Sequence, residues 1–170
     1  MKDRLVLITN VEHFAGAPAT AELSARGATV ICHDKSFADP DARQKYVDAH
    51  PDRKVMAEQD PVALIAAVTE KFGTVEVVVS NDAFPAIRAK VEDATPEDMR
   101  DGLEDMVVTP FRLAGAIVPE MKARKSGKLL FITSAAPFHG LPNYSMYVTA
   151  RGAANSMVVS LAKELGGHNI

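Results

Sequence analysis

Short apolar runs alternate with helical patterns along the whole chain. Four runs rich in Val, Ile and Leu predict strands that are covered on both faces. These runs are Leu5 to Ile8, Val30 to Cys32, Val75 to Val79 and Leu129 to Ile132. Strands that alternate with helices indicate an α/β fold, a doubly wound parallel sheet in three layers of the Rossmann-like type. Ligands bind such sheets beyond the carboxyl ends of the strands, so we expect a functional site in the loops there.

The clearest helical pattern follows Pro61. Four apolar residues repeat at helical spacing, and Gly73 then provides a stop before the next strand. The repeating residues are Leu64, Ile65, Val68 and Phe72. The pattern predicts a helix that packs one apolar face on the sheet.

A second helix is predicted to begin after Thr95. A hydroxyl cap, Pro96 at the first helical position and acidic residues in the first turn favour a helix start there. The helix should run toward Lys125 with a bend or break near Pro110 or Pro119, because proline lacks the amide donor.

The last part of the chain predicts a helix over residues 144–165, and residues 166–170 look like a turn toward a further strand. No internal linker or repeat divides the sequence. We therefore interpret residues 1–170 as a single Rossmann-like domain and expect it to be the N-terminal part of a longer one, with the C-terminal strands missing.

Composition narrows the function. A hydrophobic fraction of 47%, a charged fraction of 24% and a net charge of −3 fit a globular domain with no electrostatic reason to bind nucleic acid. The short basic cluster at the end of the second helix, expected to be solvated, comprises Lys122, Arg124, Lys125 and Lys128. No apolar segment is long enough to span a membrane.

Cysteine and histidine usage adds two further expectations. A single cysteine, Cys32, cannot form an intramolecular disulfide and lies in an apolar run, which favours a buried thiol and a cytoplasmic protein. The five histidines show no paired spacing with Cys, Asp or Glu that would build a metal site, so no metal is expected.

The loop after the first strand lacks glycines where a dinucleotide site needs them. Pyrophosphate requires close approach of the backbone at a helix N-terminus, but Asn10 and Phe14 fill this loop and Glu12 adds a negative charge. We therefore expect no dinucleotide cofactor. Alternatively, Phe14 packs in the core and a dinucleotide binds a rearranged loop. Asp34 stands where a ribose-binding acid would lie, or it caps a loop.

A second constellation comprises Ser134, Tyr147 and Arg151. Residues four apart on a helix share a face, so the guanidinium can lie beside the phenol. A fixed positive charge favours the deprotonated phenol, and Tyr147 could then act as a general base while Ser134 holds a substrate oxygen. Alternatively, each is ordinary: a serine that caps a turn, a tyrosine that packs and a solvated arginine.

With these residues in view, the sequence resembles the short-chain dehydrogenase/reductase superfamily over its whole length, and within it the halohydrin dehalogenases. Two motifs carry the resemblance: Thr9, four residues, Phe14, one residue, Gly16; and Ser134, twelve residues, Tyr147, three residues, Arg151. The second motif differs from the dehydrogenase pattern by arginine in place of lysine. In the dehydrogenases that lysine also serves the nicotinamide ribose.

The resemblance implies a carbon–halide lyase that uses no cofactor. Ser134 and Tyr147 would bind the hydroxyl of a vicinal haloalcohol, Tyr147 would remove its proton, and the alkoxide would expel the halide to form an epoxide. Arg151 would support the phenolate, and Phe14 would form a wall of a halide pocket. In reverse, azide, cyanide or nitrite would open epoxides. The resemblance also implies a homotetramer.

The loop at residues 80–85 replaces the Asn-Asn-Ala-Gly type loop of the dehydrogenases. Five further residues are candidates for the substrate pocket or, alternatively, for ordinary loop packing: Phe84, Pro85, Pro137, Phe138 and Leu141. The family's halide loop would lie beyond Ile170. Two other functions stay open at this point, an NAD(P)-dependent oxidoreductase with an unusual loop and a non-catalytic binding member of the fold.

Overall fold

The computed structural model describes residues 1–170 and contains one five-stranded parallel sheet with the strand order β3-β2-β1-β4-β5. The strands are β1 (Leu5–Ile8), β2 (Thr29–His33), β3 (Lys54–Met56), β4 (Val77–Ser80) and β5 (Lys128–Phe131). The chain winds outward from β1 to β3 and then returns to place β4 beside β1. The doubly wound α/β prediction is confirmed.

Helices connect the strands and cover both faces of the sheet, as three layers require. They are α1 (Gly16–Ala25), α2 (Pro40–Ala49), α3 (Pro61–Phe72), α4 (Pro96–Leu103), α5 (Thr109–Arg124) and α6 (Ser145–Leu165). The prediction for α3 is confirmed, with the Asp60 side chain capping its first turn and Gly73 following it at a φ of 94°.

Alternate residues of the strands face opposite sides of the sheet and divide the core in two. Leu5 and Leu7 belong to the cluster beneath α3 and α5, whereas Val6 and Ile8 belong to the cluster that includes Phe37. Because both faces of β1 are buried, its run is continuously apolar.

The strand predictions differ from the structure in two places. The pattern did not predict β3, because this strand has three residues and its Lys54 is exposed at the sheet edge. The last strand ends at Phe131, one residue before the end of the predicted run, so Ser134 lies three residues beyond β5.

The predicted irregularity between α4 and α5 is confirmed near Pro110. A π-helical turn at Glu104–Val108 joins the two helices, and Pro110 follows in the first turn of α5. A proline there cannot donate to the preceding turn, which is consistent with the wider π-type path. Pro119 is accommodated inside α5.

Two members of the basic cluster at the end of α5 bind other parts of the protein, although we expected the cluster to be solvated. Arg124 donates to the Val75 carbonyl at 2.6 Å and pairs with Glu120 at 2.8 Å, while Lys122 lies 3.3 Å from Glu164 of α6. These contacts tie the end of α5 to the segment before β4 and to α6.

Helix α6 is the longest, with 21 residues, and a 3-10 turn at Gly166–His168 follows it. Neither α6 nor any other helix combines the length and the apolar character that a membrane span requires.

Candidate active site

The candidate site lies where the strand order reverses, beyond the carboxyl ends of β1 and β4. Thr9 and Asn10 follow β1, and Asn81 and Asp82 follow β4; all four side chains are buried. A doubly wound sheet opens its binding crevice at this point. The sequence therefore places polar side chains in the crevice at the end of two fully buried strands.

The loop after β1 keeps the backbone shape of a glycine-rich turn although it carries side chains. Asn10 and Phe14 each adopt a φ of 49°, in the left-handed region that favours glycine. Gly16 remains a glycine because a Cβ there would stand 2.5 Å from the Val11 Cα.

Asn81 holds this loop in place. Its side-chain amide donates to the carbonyls of Asn10 and His13, both at 2.8 Å, and its oxygen accepts from the Ala15 amide at 3.3 Å. Its backbone N–H donates to the Thr9 hydroxyl at 3.0 Å. The Asn10 and His13 carbonyls also accept the backbone amides of His13 and Gly16, so Asn81 adds hydrogen bonds to a loop that is already bonded within itself.

Asp82 is the buried acid of the crevice. Its carboxylate accepts from the Asn10 amide at 2.7 Å and from the Ser80 hydroxyl at 2.5 Å. Burial raises the pKa of Asp82 above its usual value, and the hydrogen bond from Ser80 opposes that shift.

Phe14 does not pack in the core, contrary to one of the two expectations: 66% of it is exposed. Its ring centroid lies 6.0 Å from the Arg151 guanidinium carbon. With Phe84 and Pro85 it lines a cavity of about 350 Å³ that also includes Lys35. Three predicted pocket residues, Phe14 from the loop after β1 and Phe84 and Pro85 from the loop after β4, therefore line one cavity.

Arg151 is buried, with 2% of its surface exposed, which rules out the solvated alternative. Its Nη1 donates to the carbonyls of Asp82 at 3.2 Å and Ile132 at 3.0 Å, and its Nε has no partner. The guanidinium carbon lies 5.6 Å from the Tyr147 ring. Arg151 therefore lies within the range of cation–π attraction of both the Phe14 and the Tyr147 ring.

Ser134 is held from two sides in the segment between β5 and α6. Its hydroxyl accepts from the Ala136 amide at 3.1 Å, and its carbonyl accepts from the Asn155 side chain at 3.0 Å. The turn-capping alternative is thus correct for Ser134, but it leaves the hydroxyl proton free to be donated.

The other three predicted pocket residues lie apart from the Phe14 cavity. Phe138, 76% exposed, shares a shallow depression with Ser134, and Leu141 lines a different one beside Lys90. Pro137 packs toward Gly152 of α6.

Asp34 caps a loop, which is one of the two interpretations that the sequence allowed. The buried carboxylate accepts from the Glu12 amide and from the Ser36 amide, each at 3.0 Å, and from the Ser36 hydroxyl at 2.8 Å. Its oxygens are therefore engaged within the protein.

A second cavity of about 240 Å³ lies behind the crevice, between α3 and α5. His33 lines it and is 6% exposed, with neither ring nitrogen hydrogen-bonded. Burial lowers the pKa of His33 to about 4, so the imidazole is neutral at neutral pH.

Sequence reasoning missed the structural roles of three asparagines: Asn10, Asn81 and Asn155. The first two carried a signal, since Asn81 directly follows a buried strand and Asn10 lies two residues after another. Asn155 carried a weaker one, since it continues the four-residue spacing of Tyr147 and Arg151. No group of three His, Cys, Asp or Glu side chains is arranged to hold a metal ion.

Comparison with known proteins adds the family context. A family model described as short chain dehydrogenase matches residues 4–170. A solved structure described as a dehalogenation enzyme has 47% sequence identity and a TM-score of 0.92, covering 98% of this chain and 68% of that one. A halohydrin dehalogenase bound to ethyl (2S)-oxiran-2-ylacetate has 43% identity and a TM-score of 0.94, covering 98% and 66%.

Among curated proteins, the human dehydrogenase/reductase SDR family member 4 is 30% identical over 112 residues, which is 66% of this chain and 40% of that protein. The chain thus spans about two-fifths of this relative and about two-thirds of the two solved structures. These similarities confirm the resemblance drawn from the two sequence motifs.

Proposed function

Because the chain belongs to the short chain dehydrogenase family, we propose that its site performs the chemistry of its dehalogenating relatives: closure of vicinal haloalcohols to epoxides with release of halide, without NAD(P). The carrying observation is the buried Arg151, which lies close to the rings of both Phe14 and Tyr147. This contact brings one residue of the first-loop motif near two residues of the second motif, and it supports the proposal.

The first loop supports a reaction without a dinucleotide. Phosphates need a backbone that they can approach closely, and the left-handed positions that favour glycine carry the side chains of Asn10 and Phe14. The Asp34 carboxylate, which would receive a ribose, is occupied by three donors from the protein. These residues do not fit a bound pyrophosphate and ribose.

The reaction requires one proton acceptor and a held oxygen. Ser134 donates a hydrogen bond to the substrate oxygen, and the Tyr147 phenolate takes the hydroxyl proton. The resulting alkoxide attacks the adjacent carbon, the carbon–halogen bond breaks with its electron pair, and epoxide and halide form. Tyr147 then returns its proton to solvent.

Arg151 supports the phenolate form of Tyr147 by its charge. Arginine suits this role because it stays charged when buried and its planar fork can also donate to fixed carbonyls. Both donor contacts of its Nη1 are to backbone oxygens, those of Asp82 and Ile132. The guanidinium of Arg151 is therefore positioned by backbone atoms of the segments directly after β4 and β5.

The cavity beside Phe14 is our candidate for the leaving halide and for small anions in the reverse reaction. Phe84 and Pro85 supply apolar walls, and Lys35 supplies a positive charge that is partly neutralised by Asp105 at 2.5 Å. Azide, cyanide and nitrite are the anions that the reverse reaction would use.

The direct test is to incubate the full-length protein with a chlorinated or brominated propanol that carries a neighbouring hydroxyl. Halide and epoxide should appear in equal amounts at a rate that NAD(P)H does not change. Micromolar binding of NADH or NADPH, with hydride transfer to a carbonyl substrate, would instead assign the site to an oxidoreductase. No turnover of either kind would favour a non-catalytic member of the fold.

We also propose that the protein is a homotetramer in the cytoplasm. The exposed apolar side chains of Val108, just before α5, and Phe111, in its first turn, support self-association. The single buried thiol of Cys32 needs no oxidising compartment. Sedimentation equilibrium of the full-length protein tests the assembly, and a monomer at micromolar concentration would contradict it.

A further inference from the structure

We propose that Asn155 is a positioning residue for Ser134 in this reaction. Its side-chain amide donates to the Ser134 carbonyl at 3.0 Å, across 21 residues of sequence. The proposal deepens the proposed function, on which it rests, by adding to the site a residue that does not itself contact the substrate.

Three residues of α6 form one ladder on the side that faces β5. Tyr147, Arg151 and Asn155 are spaced by four and therefore share a helical face. Arg151 donates to the carbonyl of Ile132, and Asn155 donates to the carbonyl of Ser134 two residues later. The helix thus holds the segment after β5 at two alternate carbonyls.

The segment needs these bonds because the sheet no longer holds it. The strand ends at Phe131, the Ile132 amide still donates to Ser80, and neither Thr133 nor Ser134 makes a backbone–backbone hydrogen bond. Ser134 is therefore held at its carbonyl by the Asn155 side chain and at its hydroxyl by the Ala136 amide. Loss of the Asn155 amide leaves the Ser134 carbonyl without its partner within the protein.

A reacting group held by so few contacts is sensitive to small shifts. A displacement of about 1 Å at a positioning group can cost on the order of 100-fold in rate. Substitution of Asn155 should therefore lower kcat. Asn155 makes no hydrogen bond to Tyr147 or Arg151, so the pH dependence of the rate should stay the same.

The kinetic test compares Asn155→Leu, which has a similar size but no donor, with Ser156→Ala on the exposed side of the same turn. We expect Asn155→Leu to lower kcat on the order of 10- to 100-fold with an unchanged pH profile, and Ser156→Ala to leave kcat unchanged. In a Ser134→Ala background, Asn155→Leu should have no further effect, because both changes act through one hydroxyl. The same loss in both backgrounds would overturn the proposal.

A crystal structure of Asn155→Leu tests the same idea without any turnover. Displacement of the Ser134 backbone, with the Tyr147 and Arg151 side chains in place, supports the positioning role. An unmoved Ser134 overturns it. If the unaltered protein releases no halide, the proposed function is refuted. The crystal structure of Asn155→Leu then still tests whether the Asn155 contact positions Ser134.

Discussion

At the scale of single residues, the site depends on the buried positive charge of Arg151. Arg151 is 2% exposed, and no carboxylate forms a salt bridge with it; its Nη1 donates to backbone carbonyls instead. No carboxylate neutralises this buried charge, and the rings of Phe14 and Tyr147 lie within the range of its cation–π attraction. The proposed base is therefore the neighbour with an ionisable proton, Tyr147.

Tyr147→Phe removes only the hydroxyl and should lower halide release on the order of 100- to 10,000-fold, the usual contribution of a general base. The ring that Arg151 faces is kept, so the melting temperature should change little. Tyr144→Phe, at the residue before α6, is the matched control and should keep most of the activity. Full turnover by Tyr147→Phe would mean that another group accepts the proton.

The neutral, buried His33 predicts a pH dependence of stability. Its folded-state pKa of about 4 lies below the ordinary histidine value of 6.5, so between these values the unfolded chain binds more protons. Protons therefore favour unfolding, and the contribution that is fully present above pH 6.5 is lost as the pH falls toward 4. Asp82, whose pKa is raised by burial, acts in the opposite direction above the ordinary aspartate value of 3.8.

Replacing His33 by Gln removes the titrating group and isolates this contribution. Between pH 7.5 and pH 4.5, the unaltered protein should lose roughly 2–3 kcal/mol more of unfolding free energy than His33→Gln. Urea denaturation of both proteins at the two pH values measures the difference. Equal losses would mean that His33 gains a proton or a partner in the folded state.

At the scale of elements, local chemistry decided which parts the sequence could predict. Helix α3 begins and ends with strong signals, at Asp60 and Gly73, and was predicted correctly. Strand β3 has three residues at the sheet edge and no periodic signal of its own, since tertiary pairing with β2 creates it. The π-helical turn before Pro110 was predicted only as an irregularity, because the missing donor does not specify the path around it.

The cap of α4 offers a quantitative test at this scale. The Thr95 hydroxyl accepts from the Asp98 amide at 3.1 Å and donates to its carboxylate at 2.6 Å. Thr95→Ala should destabilise the protein by about 1 kcal/mol, whereas Thr95→Ser keeps the cap and should cost less. Denaturant unfolding compares the three proteins, and equal stability of all three would mean that α4 is held by packing alone.

At the scale of the whole molecule, the fold supplies what the motifs could not. The first loop and α6 are more than 130 residues apart in sequence, yet Phe14 and Arg151 lie 6.0 Å apart. The sequence predicted that both belong to one site, but not that Phe138 and Leu141 would lie away from the Phe14 cavity. The orientation of a loop side chain depends on tertiary contacts that a periodic sequence pattern does not contain. Which loop residues line the same cavity could therefore be seen only in the structure.

Assembly is the last property that belongs to the whole molecule. Val108 and Phe111 are 39% and 55% exposed, and their spacing of three places them on one side of the chain where the π-helical turn meets α5. Exposed apolar side chains that lie together favour contact with another copy of the protein. If this surface forms part of the proposed tetramer interface, a charge at its centre must be desolvated on association and should weaken the assembly.

Phe111→Asp in the full-length protein should therefore shift sedimentation equilibrium from a tetramer toward dimers or monomers at micromolar concentration. The control is Val62→Asp, which adds the same charge at a residue of α3 that is 51% exposed and should leave the mass unchanged. Far-UV circular dichroism checks that both variants stay folded. A tetramer that tolerates Asp at position 111 would have its interface on another surface, because a buried unpaired carboxylate there would cost more than the contact gains.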